Sequence, residues 1–143
     1  MTTNVSAANA LLNLVLQAVN WANIADNTAT APLTSLYCAL HSADPTSTGN
    51  QTSSEIAYTG YARVAVARTT GGWTTASAGS SSPQAAINFP AGTGGSGTAT
   101  FASIGTASSG AGSIIWSGPI TPNIVCGSGV TPSLTTASTV VVS

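Results

Sequence analysis

Leu33-Thr34-Ser35-Leu36-Tyr37-Cys38-Ala39-Leu40-His41-Ser42, followed by Asp44-Pro45, is the stretch that decides the fold class. β-Branched, aromatic and aliphatic residues suit a pleated, half-buried surface. Asp accepts hydrogen bonds from its own local backbone and Pro presets a turn dihedral, so the run reads as a strand that the Asp-Pro pair closes. Short runs of the same kind recur to the C terminus, at Ala62–Arg68, Gly72–Ala76, Gln84–Phe89, Thr98–Ile104, Ser113–Ser117, Asn123–Cys126 and Ser138–Val142. Turn chemistry separates them: Gly49-Asn50, Thr59-Gly60, Gly71-Gly72, the glycines of 92–97, Gly110 with Gly112, Gly118-Pro119 and Gly127–Gly129. The low-complexity stretch Ala91–Gly112 carries Thr98, Thr100, Phe101 and Ile104, and so reads as a hairpin. The expected class is mainly β, an antiparallel β-sandwich or jelly-roll-like domain.

Upstream of this pattern, Ser6 to Ala25 predicts the single α-helix. Asn9, Asn13, Gln17 and Asn20 form a narrow amide stripe, while Leu11, Leu12, Leu14, Val15, Leu16, Val19 and Trp21 make the rest apolar. Such an apolar face is wider than a helix on a wet surface needs, so burial on more than one side is expected, within the domain or against another subunit. The 143 residues fit one domain, with a helical arm at 1–27 and a β domain at 28–143.

Composition narrows the function. Charged residues are 3% of the chain, against about 25% in an ordinary soluble domain. Arg63 and Arg68, the only basic side chains besides His41, cannot neutralise the phosphates that nucleic-acid binding requires. Asp26, Asp44 and Glu55 lie too far apart in sequence to predict a calcium or magnesium cage, and no cofactor or metal is expected. A net charge of −1 offers anionic lipid nothing, and no apolar run reaches a membrane-spanning length. With 43% hydrophobic residues and a mean hydropathy of +0.31 the chain should nevertheless fold. So little charge protects weakly against self-association, which suggests a permanent assembly. Cys38 and Cys126 have no CxxC spacing and read as two buried thiols, with a disulfide open as the alternative. The N terminus lacks the positive charge of a secretory signal, so synthesis and use inside a cell are expected.

His41 is the one side chain whose unperturbed pKa lies near neutrality. With Ser42 and Asp44 it suggests a fragment of a nucleophilic triad, but adjacent strand residues point to opposite faces, so no catalytic residue is assigned. A packed, hydrogen-bonded strand-end histidine is expected instead. Glu55 is expected to pair with Arg63 or Arg68 as a clamp on the Thr52–Tyr61 loop, the alternative being an Arg that docks on a neighbouring subunit. Tyr58 and Tyr61 flank that turn, and Trp21, Trp73 and Trp116 read as core. The expected partner contacts are Leu11, Leu14 and Val15 on the helix, with Tyr58, Tyr61, Arg63 and Arg68.

The blocks Leu36-Tyr37-Cys38-Ala39-Leu40-His41-Ser42-Ala43-Asp44-Pro45, Gly49-Asn50-Gln51, Glu55 and Tyr58-Thr59-Gly60-Tyr61-Ala62-Arg63, with Val66 and Arg68, resemble a family of small tailed-phage virion proteins often labelled tail-fibre proteins. Phe89-Pro90-Ala91, Gly105-Thr106-Ala107-Ser108-Ser109-Gly110-Ala111-Gly112 and Ser117-Gly118 extend the resemblance, which runs from about Leu36 to Gly118. It implies a non-enzymatic virion structural protein, assembled in the host bacterial cytoplasm. Small size and the lack of heptads or a stalk favour a capsid decoration or cement protein, bound to the major capsid protein and to copies of itself as a dimer or trimer. The alternative is a tail fibre or tail-tip protein involved in host recognition.

Overall fold

A computed structural model describes residues 5–21 and 32–142. In chain order the elements are α1 (Val5–Gln17), β1 (Ser35–His41), β2 (Val64–Ala67), β3 (Ser80–Ser81), β4 (Ile87–Asn88), β5 (Ser96–Gly105), β6 (Ile114–Gly127), β7 (Ser133–Leu134) and β8 (Val140–Val141). The fold is therefore mainly β with one N-terminal helix, and β1–β5, β5–β6, β3–β8 and β4–β7 all pair antiparallel, as expected. The chain forms two compact units. One holds α1, β3 and β8 with the segment that follows β2; the other holds the remaining strands.

In the strand-rich unit, β2, β1, β5 and β6 line up in that order as one sheet, and β4 and β7 form a separate ribbon. β1 lies inside the sheet, which is why the Leu36–Leu40 run is nearly continuous in apolar residues: Cys38, Ala39, Leu40 and His41 are all buried. Its partner β5 sets Cys38 opposite Ile104 and His41 opposite Phe101. Ile56, Tyr58, Phe89, Ala99 and Cys126 complete this core.

The runs Ser113–Ser117 and Asn123–Cys126 join into the single strand β6, so Gly118-Pro119 is not a turn. Because β6 is the edge of the sheet, Pro119 sits in the ladder opposite Phe101, a place where a missing N–H is tolerated. The register shifts between Ala99 and Phe101, and residues 120–123 stand against Thr100.

The other unit is built around α1, whose Ala and Leu residues are strong helix formers. Ala8, Leu12, Leu16 and Gln17 are buried, while Leu11, Leu14 and Val15 are half-buried. The helix stops at Gln17, short of the expected Ala25. Ala18 takes a left-handed φ of 56°, and the Val19 N–H returns to the Asn13 carbonyl at 3.1 Å. Of the expected helix, residues 22–25 lie outside the described residues. No Gly or Pro marks this end; the cap comes from far along the chain. Arg68 Nε donates to the Val15 carbonyl at 2.6 Å, Nη2 to that of Leu14 at 3.0 Å and Nη1 to that of Leu33 at 2.7 Å. The last carbonyls of a helix lack intrahelical donors, and a cation there also suits the negative end of the dipole.

The amide stripe holds the segment Trp73–Gly79 against α1. Asn9 Oδ1 accepts from the Gly79 N–H at 2.6 Å, Asn13 Oδ1 from the Ala76 N–H at 2.9 Å, and Gln17 Nε2 donates to the Trp73 carbonyl at 3.3 Å. Gly72–Ala76, expected as a strand, is therefore irregular, because helix side chains supply the partners that a neighbouring strand would have given. Trp73 is 1% exposed, and its indole N–H has no partner among the described residues.

Ser77 and Ser80 exchange backbone hydrogen bonds of 2.9 Å around Ala78 and Gly79, with φ of 49° and 74°. That is the two-residue hairpin with two left-handed positions, which favours Asn-Gly over Ala-Gly. Ala78→Asn is expected to raise stability by about 0.5–1 kcal/mol in denaturant unfolding, since it relieves the strained φ without freeing the unfolded chain as Gly would.

Candidate functional site

The side chains with the most chemical capacity converge in the strand-rich unit. Glu55, next to the end of β1 through its bridge to His41, is gripped by Arg63 in a fork: Nε to Oε1 and Nη2 to Oε2, both at 2.7 Å. The same guanidinium reaches the hairpin between β5 and β6, with Nη1 donating to the Ala107 carbonyl at 3.0 Å and Nη2 to that of Gly110 at 2.8 Å. Tyr61 donates its hydroxyl to Glu55 Oε1 and accepts from the Leu40 N–H, each at 3.0 Å. The Glu55 hydrogen bond holds the Arg63 pKa up, and burial pushes the Tyr61 phenol far above its usual range. The expected clamp thus forms with Arg63, and it ties two loops to β1.

Gln51, absent from the expected site residues, lies alongside. It is fully buried; Nε2 donates to the Tyr37 carbonyl at 3.1 Å and Oε1 accepts from the Ala107 N–H at 3.0 Å. A Cβ at Gly105 or at Gly112 would overlap its amide, so both glycines are required for the close approach. The Gly-Asn-Gln block and the Gly105–Gly112 block of the sequence are two halves of one joint.

His41 is fully buried. Nδ1 lies 2.8 Å from the Ser53 carbonyl, which only accepts, so this nitrogen carries the proton and Nε2 accepts from Ser103 Oγ at 2.7 Å. Burial lowers the imidazole pKa; the Ser53 carbonyl and the Glu55 carboxylate pull it up, and Arg63 lowers it further. The histidine is packed and hydrogen-bonded, as expected for a strand end. By distance Ser103 and His41 make a hydroxyl–base pair, but Ser103 is only 2% exposed. Asp44 and Ser42 do not join them: Asp44 Oδ1 accepts from the Thr46 N–H at 2.8 Å, and Ser42 Oγ donates to the Ser54 carbonyl at 3.2 Å.

The remaining expected contact residues divide between the units. Tyr58 is buried, donating to the Pro90 carbonyl at 2.6 Å and meeting Tyr61 edge-on at 5.4 Å, while Tyr61 stacks on Phe89 at 6.2 Å. Arg68 caps α1, between the half-buried Leu14 and Val15. Cys38 and Cys126 are free and buried, and burial pushes the Cys38 thiol up to about 12. Among the described residues no group of three His, Cys, Asp or Glu side chains could hold a metal ion, and no helix is long and apolar enough to cross a membrane.

Fold and side-chain network together define a β-rich structural scaffold whose polar groups serve as internal ties. A family model described as Podophage GP4 fiber I protein gp80 matches residues 2–141, and the chain belongs to that family of tailed-phage virion structural proteins. The match extends the resemblance of the Leu36–Gly118 blocks to nearly the whole chain. No curated protein sequence matches it.

Two outcomes follow from the network. Arg63→Ala strands a carboxylate whose side chain is only 17% exposed, and should cost about 3–5 kcal/mol in denaturant unfolding. For His41 the unfolded ring protonates near 6.5 while the folded ring resists. Stability therefore falls as pH drops through that value and goes on falling until the folded ring itself takes a proton. Unfolding midpoints compared across this range should show the slope, and His41→Asn should flatten it.

Proposed function

We propose that the protein is a non-enzymatic structural component of the fibre apparatus of a tailed-phage virion. The observation that carries this is the inward use, among the described residues, of the histidine, both guanidinium groups and both thiols. His41 is sealed between Ser53 and Ser103, both guanidinium groups are spent on backbone carbonyls or on Glu55, and both thiols are buried and unpaired. Among the described residues the surface carries chiefly hydroxyl, amide, glycine and scattered aliphatic groups with the single carboxylate of Asp44, suited to protein–protein packing and poorly suited to nucleic acid or anionic lipid. The partners are accordingly other virion proteins and copies of this chain. Unpaired cysteines suit assembly in the reducing host cytoplasm.

The family description supports a fibre placement over the capsid decoration that small size and the lack of heptads or a stalk suggested. Of the aromatic side chains that could meet a host surface, Trp73 and Tyr58 are buried and Tyr61 is tied to Glu55 and Leu40, which leaves Trp116 partly exposed. The proposed role is therefore construction and bracing. Labelled antibody or cryo-electron microscopy of purified particles tests the placement: a few copies at the tail are expected, and hundreds of copies over the head would overturn it in favour of decoration.

A further inference from the structure

The outer edge of β6 is the largest unfinished feature among the described residues. β6 is the longest strand, it ends the sheet, and no strand or bridge pairs with its far side over Ile114–Gly118. Folded proteins protect such an edge with charge, brevity, proline or a covering loop. Pro119 and Pro122 close the later part, because neither offers an N–H. The first part has no such device. After Arg68 the chain contains no Lys, Arg, Asp, Glu or His at all, so the edge strand itself carries no charge.

We propose that Trp116–Gly118 pairs antiparallel with the same three residues of a second copy, about a two-fold axis at Ser117, with Ile115 facing Pro119 of the other chain at either end. The unpaired backbone groups call for an extended strand as occupant. The absence of charge favours an identical one: an edge that meets itself places each side chain against its own kind, and a charged residue there would face its like. The register follows from size. Alternation sets Ile114, Trp116, Gly118 and Ile120 on the half-buried face and leaves Ile115, Ser117, Pro119 and Thr121 exposed. With Ser117 opposite its own copy, Trp116 falls opposite Gly118 of the other chain. A Cβ built on Gly118 meets nothing within 4 Å, so the space above it is open to an indole, and Trp116 is half-exposed and available to fill it. A large aromatic over a cross-strand glycine is a favourable pair. Any other register takes the indole off Gly118. The two sheets would then form one, with β6 no longer an edge. This holds wherever in the virion the protein sits.

Sedimentation of the full chain, with the variants Ser117→Lys, Gly118→Val and Thr136→Lys, tests the pairing. The wild type is expected to be a dimer. Ser117→Lys puts two ammonium groups on the axis and Gly118→Val blocks the indole; each should weaken association by about tenfold or more while circular dichroism stays unchanged and the unfolding midpoint falls no further than dilution to monomer lowers that of the wild type. Thr136→Lys, exposed and far along the chain, should dimerise as the wild type does. Ser117→Cys should oxidise to a cross-linked dimer across the axis. A monomeric wild type, an oligomer indifferent to Ser117→Lys and Gly118→Val, or a Ser117→Cys chain that oxidises without doubling its mass would each overturn the proposal.

Discussion

Every buried backbone N–H and C=O must find a partner, and in this protein regular ladders are too short to supply them all. β3, β4, β7 and β8 are two residues each, and much of the chain between them is irregular. The deficit is met by side chains. Arg68 takes three carbonyls, Arg63 two, Gln51 one carbonyl and one N–H, and Asn9, Asn13, Gln17, Tyr58, Tyr61 and His41 at least one backbone group each. A chain with hardly any charge spends what it has on its own backbone.

That economy gives the Glu55–Arg63 pair a particular standing. A buried ion pair seldom adds much net stability over an apolar replacement, because desolvation offsets attraction. Here the guanidinium also fixes Ala107 and Gly110, and the carboxylate orients Tyr61, which in turn holds the Leu40 N–H of β1. The pair specifies which loops lie on which strand. Gln51, held in its glycine slot, fixes the same hairpin from a second direction.

The sequence disclosed the class of fold through features that are local. Leu36–Leu40 reads as strand because its neighbours in sequence suffice to say so, and the Ala- and Leu-rich start reads as helix for the same reason. What escaped notice depends on partners distant in the chain. The helix end at Gln17 carries no Gly or Pro because its cap is Arg68. The Gly118-Pro119 pair looks like a turn unless one knows that β6 is an edge. β3 and β7 are pairs of residues with no periodicity to detect, and Gly72–Ala76 has strand-forming residues but no strand beside it. The site was legible in part: the Glu55 clamp and the packed state of His41 could be anticipated from residue type. The amide spacing on α1 was visible without its purpose, and Gln51 gave no signal beyond its place between Asn50 and a turn. The blocks that carry the family resemblance prove to be the interior joints of the molecule, and so they report the fold more directly than they report a contact.

Drawing both guanidinium groups inward has an effect on what the molecule shows to its surroundings. Among the described residues Asp44 is the one fully exposed charged side chain, and its carboxylate is engaged by the Thr46 amide. The described surface is rich in serine and threonine hydroxyls, with scattered aliphatic side chains, and is close to electroneutral. Such a surface neither attracts a counter-ion cloud nor exchanges ions with mineral, polymer or envelope surfaces of either sign. Whatever is built from it slides past charged debris with little sticking.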